Sequence, residues 1–474
     1  MKKMLHAMPG SDAILPGLGQ RQTAEGKSPS RKSAWAGNAL WVALSAAMLA
    51  AVGAGCANLT FETAPAFTPT SPAEAFSTVD QTAAPSEVRM NSSFRLVGYY
   101  ASWDVYERTM FLSKIHTEML THINYAFSNI SPDGRCIIGD PEADTNQFFG
   151  VGNSINGTPD TMEAERGNFH QLALLKQKIP RLKVLISIGG WTWSEHFSDA
   201  ALSELSRQKF VQSCLDLYLV RYGESFDGVD IDWEYPVSGG LKPGRPEDKH
   251  NFTLLIAEFR RQLDALQRTT GRKYLLTIAG PASPDAMGRI ELGEIYKTLD
   301  WINVMAYDYH VATEPVTGFL SPLYGSPRDP DPDSRNFLNA DASVRGYLAA
   351  GVPAKKIVLG IPFYGRAWDG ASGDGLFAPA AGPAHAKYEF GYMDYRELLN
   401  GPLQNYQRHW DGDAKVPWLF DPSSGTFITY DDAESIQWKV KYIRENNLGG
   451  AMFWELGLDD GKLLQPLGDG LFPD

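Results

Sequence analysis

Between Phe226 and Pro236 the chain reads Phe-Asp-Gly-Val-Asp-Ile-Asp-Trp-Glu-Tyr-Pro, which sets three carboxylates, Asp230, Asp232 and Glu234, at alternate positions of a strand-like run. Side chains alternate faces along a strand, so the acids share one face while Val229, Ile231 and Trp233 turn to the other. Like charges this close cannot all stay ionised. At least one carboxyl is expected to keep its proton near neutral pH, the state a general acid needs. Acids gathered at the C-terminal end of a strand also sit where parallel β/α barrels place their reactive groups. The same oxygens suit calcium or magnesium, so these residues alone leave a hard-cation or ion-pair site open beside catalysis.

Strand patterns recur near 95–100, 121–128, 182–188, 226–233, 273–279, 300–306, 356–363 and 448–454. Helical patterns lie between most of them, among them Gln208–Tyr222, Phe252–Gln267 and Asp432–Asn446. Eight such alternations predict an α/β chain closed as a (β/α)8, or TIM, barrel. One barrel with an insertion accounts for 474 residues, 43% of them hydrophobic. From Tyr364 to Tyr430 the chain holds aromatics, Gly-rich turns and the strand-like runs Lys415–Phe420 and Thr426–Tyr430, more than a crossover loop requires. A formal net charge of -13 argues against a nucleic-acid partner, which clustered Lys and Arg would hold, and is compatible with a neutral polymer. The nine His show no H-x-x-x-H pattern and no C-x-x-C pair exists, so no metal and no cofactor is expected.

Asp227, Asp230, Asp232 and Glu234, spaced D-x-x-D-x-D-x-E, resemble the signature of the family 18 glycoside hydrolases, the chitinase family. Ser187-Ile188-Gly189-Gly190-Trp191 resembles the family's third-strand S-x-G-G motif, Met305-Ala306-Tyr307-Asp308 its sixth-strand M-x-Y-D, and Tyr364-Gly365-Arg366 its seventh-strand Y-G-R. Trp454, ahead of Glu455, closes the last strand as the family's eighth-strand tryptophan does. Taken singly, each motif reads as a turn, a core aromatic or a surface cation. Together they run in chain order from Phe94 to about Asp460, each following an apolar run. The resemblance implies a small α+β insertion domain at about 368–427 within a catalytic barrel spanning 94–474.

It also implies residue roles. Glu234 is the general acid, and the attacking group is the substrate's own 2-acetamido oxygen, which forms an oxazolinium ion and replaces an enzyme nucleophile. Asp232 holds the acetamido N–H, Asp230 shares a proton with Asp232, and Asp227, out of phase with the others, supports the strand. Tyr307 donates to the acetamido oxygen. Asp308 and Arg366 hold the sugar and the tyrosine, with Met305 and Tyr364 in the same binding motifs. Trp454 forms the floor under the sugar ring, and Trp191, Trp103, Tyr100 and Phe127 line further subsites. The substrate class is chitin or chito-oligosaccharides, hydrolysed with retention by a monomer. The alternatives are another acetamido-sugar linkage, in peptidoglycan or the chitobiose core of N-glycans, and a chitin-binding lectin, which typically lacks the acid present here at Glu234.

Residues 1–56 read as an export segment. Ala39–Val52 is an uncharged run behind Arg31 and Lys32, shorter than the roughly 20 residues of a spanning helix and of secretory length. Gly53-Ala54-Gly55-Cys56 resembles a bacterial lipoprotein box, so Cys56 is the lipidation candidate and the expected route to a membrane, against ordinary cleavage after Ala54 or Ala57. Residues 57–93, rich in Pro, Thr and Ser, read as a tether. Of the remaining cysteines, Cys136 and Cys214 either bridge or leave Cys214 as a buried thiol.

Overall fold

A computed structural model describes residues 93–161 and 165–473. The export segment, Cys56 and nearly all of the tether lie outside these residues. All eight expected strands form, at Arg95–Ala101, His122–Ile130, Lys183–Gly189, Gly228–Asp232, Leu275–Gly280, Trp301–Val304, Ile357–Pro362 and Gly450–Trp454. Each pairs in parallel with its neighbours in chain order, and the first pairs with both the second and the last, which closes the barrel. Residues of the two strand faces divide between two apolar layers. Val97, Tyr99, Leu185, Val358 and Met452 belong to the barrel interior, whereas Leu96, Tyr100, Val184, Ile186, Val229 and Ile231 join the larger core shared with the helices.

Helix Asp248–Thr270 contains the expected Phe252–Gln267. Helix Ala433–Glu445 opens on a reciprocal cap: Asp432 accepts from the N–H groups of Glu434 and Ser435, and Ser435 Oγ accepts from the Asp432 N–H at 2.9 Å. The expected Gln208–Tyr222 helix is realised as Glu204–Cys214 continued by a wider turn, Leu215–Arg221. A disulfide joins Cys136, beside the end of the second strand, to Cys214 on that helix, which resolves the choice the sequence left open.

The insertion is an antiparallel sheet in the order Gly382–Pro383, Tyr364–Asp369, Thr426–Thr429, Val416–Asp421 and Gln407–Asp411, with Tyr392–Asp394 also paired to Tyr364–Asp369. It begins one residue after the seventh barrel strand, four residues earlier than expected at 368, and its last sheet strand ends at Thr429, before helix Ala433–Glu445. Trp368, Val416, Trp418, Phe420 and Phe427 give it a core of its own.

Candidate active site

The fourth strand presents its acids as alternation predicts. Trp233 packs outward, stacked on Phe197 with ring centroids 5.2 Å apart, while Asp230 and Asp232 turn into the barrel. Asp230 is fully buried and accepts four hydrogen bonds. Its Oδ2 takes the hydroxyls of Tyr99 at 2.7 Å and Ser187 at 2.8 Å. Its Oδ1 takes the Thr277 hydroxyl at 2.5 Å and the Asn303 amide at 3.3 Å. Register supplies two of these donors, since Ser187 and Thr277 are the direct neighbours of Asp230 on the flanking strands. Burial raises the Asp230 carboxyl, and the four donors pull it part of the way back.

Asp232 is buried too, but its Oδ1 has no hydrogen-bond partner. Burial, then the nearby charges of Glu234 and Asp230, push its carboxyl well above the usual range. Glu234 stands just past the end of the strand, half-buried at the barrel opening. Burial raises it to about 7, the Tyr235 hydroxyl pulls it down and Asp308 pushes it up. Two adjacent carboxyls, both raised, hold a proton at neutral pH where an exposed pair would hold none.

The backbone under these acids is braced by the loop after the third strand. Ser194 Oγ accepts the Glu234 N–H at 2.9 Å and lies within donating distance of the Gly190 and Asp232 carbonyls, at 2.9 and 3.2 Å. Gly189 and Gly190 make that loop possible, with φ of 105° and 75°. A Cβ at Gly189 would meet the Asp232 carbonyl oxygen at 2.3 Å, and one at Gly190 would meet the Phe127 ring at 2.6 Å. Ser187 bonds Asp230 directly. Asp227 lies at the other end of the strand, where its Oδ2 accepts the Val184 N–H at 3.0 Å and pairs with Lys176 at 3.0 Å, so it ties two strands together outside the acid cluster.

Tyr307 is half-buried, and its hydroxyl reaches a weak acceptor, Met452 Sδ at 3.8 Å, which leaves it able to donate elsewhere. Met305 packs with it in the interior layer. Arg366 grips Asp308 through two hydrogen bonds of 2.8 and 2.9 Å and lies over the rings of Tyr364 and Tyr392, which stack on each other at 4.4 Å. Tyr364 is therefore buried behind the arginine. Trp454 is half-buried, nearly parallel to Phe127 at 5.7 Å and tilted against Tyr99 and Trp103 at 5.5 and 6.4 Å. Trp103 and Trp191 keep 36% and 47% of their surface exposed, so both offer open ring faces to a ligand.

Tyr100 does not reach the site. It is fully buried on the outer face of the first strand, with its hydroxyl donated to the Met110 carbonyl at 2.9 Å. The residue that strand turns inward is Tyr99, which sequence reasoning missed although the two-residue alternation pointed to it. Ser194, Thr277 and Asn303 were missed as well. Among the described residues no group of three or more His, Cys, Asp or Glu side chains converges as a metal centre would. Chemically, the site offers a raised carboxyl at Glu234, an open acceptor at Asp232 and an open donor at Tyr307, beside an aromatic floor.

The sequence profile of the glycosyl hydrolases family 18 matches residues 95–459. The chain is 41% identical over 422 residues to chitinase A1 of Niallia circulans, which covers 80% of this chain; the chain spans 59% of that relative's length. The catalytic domain of the psychrophilic chitinase B from Arthrobacter TAD20 superposes with a TM-score of 0.76 at 36% identity, covering 81% of this chain and 96% of that one. A family 18 N-acetylglucosaminidase from Paenibacillus barengoltzii superposes with a TM-score of 0.66 at 33% identity, covering 80% and 99%.

Proposed function

The chain belongs to the glycosyl hydrolases family 18, and from that premise we propose that it is a chitinase, hydrolysing β-1,4-linked N-acetylglucosamine polymers with retention through the substrate's own acetamido group. The observation that carries the reading is the buried, unpartnered Oδ1 of Asp232 beside Glu234, whose carboxyl burial raises to about 7. A buried acceptor without a donor is costly, and an amide N–H of the substrate supplies the donor. Glu234 passes its proton to the glycosidic oxygen as that bond breaks. The acetamido oxygen bonds to the anomeric carbon, and its N–H, held by Asp232, carries the developing positive charge of the oxazolinium ion. Glu234, now a carboxylate, takes a proton from the water that opens the ring, which restores the acid and keeps the original anomeric configuration.

Tyr307 donates to the acetamido oxygen and aims it at the anomeric carbon. Arg366 fixes Asp308 beside Glu234, and Trp454 supports the sugar's C–H face. The reading is tested by product analysis on defined chito-oligosaccharides beside peptidoglycan and N-glycan substrates. Cleavage of chito-oligosaccharides with the β-anomer released first supports it; cleavage of peptidoglycan or the chitobiose core alone replaces the substrate.

We further propose an exported monomer with Ala39–Val52 removed and Cys56 acylated. The Cys136–Cys214 bridge supports export, because disulfides persist in oxidising compartments. Mass spectrometry of the native N-terminus tests it, and an unmodified start at Gly55 or Asn58 means a freely secreted enzyme.

A further inference from the structure

The catalytic scheme leaves a second pair of buried carboxyls unused. Asp104, in the turn Ser102–Val105 after the first barrel strand, is fully buried, and Glu455, the residue after Trp454, is 1% exposed. Neither Asp104 oxygen accepts from an N–H or O–H group; its hydrogen-bonding neighbour is the carboxyl of Glu455. Glu455 also accepts the Gly457 N–H at 3.1 Å, and a Cβ at Gly457 would fall 2.1 Å from Asp104 Oδ2, so the aspartate is pressed against that turn. Arg108 comes within 3.7 Å of Asp104, but its fork is engaged by Asp394 of the insertion through bonds of 2.8 and 2.9 Å.

Two carboxyls in contact and out of water cannot both carry charge, and a proton between them satisfies the otherwise orphaned oxygens. The other groups facing the pair are Tyr100 from the first strand, Asp394 and Tyr392 from the insertion, and Arg108, four residues after Asp104. Of these four Arg108 alone is a cation, enough to balance one negative charge but not two.

We propose that Asp104 and Glu455 share a single proton and act as a positioning pair: the proton ties the turn after the first strand to the backbone that carries Trp454, and Arg108 extends the tie to Asp394 of the insertion. When the proton leaves, two like charges are trapped side by side and the turn separates from Trp454. The folded pair holds its proton to higher pH than the unfolded chain does. Its stabilisation is therefore complete at low pH and is lost as pH rises through the folded value. The effect on substrate rests on Trp454 being the sugar floor; the shared proton does not.

Asp104→Asn provides the test, because its amide donates to the Glu455 carboxylate at every pH. Melting temperatures of the full chain between about pH 5 and pH 9 are expected to fall less steeply for Asp104→Asn than for the parent. Parallel profiles overturn the shared proton. If Asp104→Asn is not recovered folded, Glu455→Gln replaces it, since that amide donates to Asp104; failure of both to fold also overturns the proposal. For the positioning role, binding of an N-acetylglucosamine hexamer is followed by tryptophan fluorescence in a Glu234→Gln background. Affinity is expected to drop by about threefold or more from pH 6 to pH 9, and the added Asp104→Asn to remove most of that drop. Equal drops overturn the positioning role. No binding in either protein, with the melting difference intact, overturns the carbohydrate reading and upholds the shared proton.

Discussion

The Tyr99 hydroxyl donates to Asp230 Oδ2 at 2.7 Å, from the first barrel strand to the fourth. It joins Ser187, Thr277 and Asn303 in stabilising a carboxylate that has no access to water. Tyr99→Phe removes one donor without changing the ring, so the Asp230 proton affinity rises and turnover is expected to fall by about tenfold. Tyr100→Phe loses a bond to a backbone carbonyl outside the site, and is expected to cost about 1 kcal/mol of stability with turnover nearly unchanged. Steady-state kinetics and denaturant melts of the two variants check the contrast, which reverses if Tyr100 is the residue that serves the site.

Glu234 must carry its proton to act as the acid, and burial raises its carboxyl to about 7. Activity should therefore fall as pH rises through that value, giving an alkaline limb in the kcat/KM profile, which reads the free enzyme. Glu234→Gln should abolish hydrolysis while keeping the fold. A raised folded value also means that ionised Glu234 burdens the native state at high pH, so Glu234→Gln should melt above the parent at alkaline pH and close to it at acidic pH. Hydrolysis within a few-fold of the parent would remove Glu234 from its role.

Asp232→Asn replaces the open acceptor by an amide that cannot offset a developing positive charge. A loss on the order of 10²-fold or more in kcat is expected. A change in KM with kcat retained would show that Asp232 binds substrate without acting on the transition state.

Joining Cys136 to Cys214 closes a loop with a sequence separation of 78 residues. On the chain-entropy account such a cross-link contributes up to about 4–5 kcal/mol, with native strain reducing the figure. Replacing both cysteines by serine should lower the melting temperature by several degrees and leave kcat within about twofold, because the bridge lies among the helices and outside the acid cluster. Calorimetry and kinetics on the same preparation separate the two effects.

The eight strands and the inward face of the acids were legible because a buried strand ending in polar residues has a two-residue signature that no distant contact alters. Tyr100 was misassigned through nearness to the strand end, where the parity of positions carries the information; counting by two selects Tyr99. Thr277 and Asn303 meet Asp230 through the register of the fifth and sixth strands, and register is set by closure of the whole barrel. The Cys136–Cys214 contact depends on how the second strand and a later helix meet, which neither segment encodes alone. The insertion starts earlier than 368 because Tyr364-Gly365-Arg366, read as a motif closing the seventh strand, opens the first strand of the second sheet, one residue past Pro362.

Strands Tyr364–Asp369 and Thr426–Thr429 lie side by side and antiparallel, with Trp368 opposite Phe427 and Arg366 opposite Thr429. Joining Asp369 to Thr426 by a short turn would thus keep Arg366 and its grip on Asp308 in a hairpin, while removing the rest of the insertion. That segment carries Tyr392, which stacks on Tyr364, and Asp394, which engages Arg108 from the turn after the first strand. Its contacts thus run from Tyr364, just past the seventh strand, to Arg108, just past the turn that bears Trp103, and we propose that it walls the sugar groove on that side. Remote sugars bound along such a wall supply binding energy that is realised at the scissile bond. The shortened chain is expected to lose much more kcat/KM on oligomers of about four or more units than on the shortest cleavable ones, and to release less disaccharide. Oligomer-length profiles of kcat/KM check this. Equal losses at every length would show that the insertion stabilises the barrel without shaping the groove.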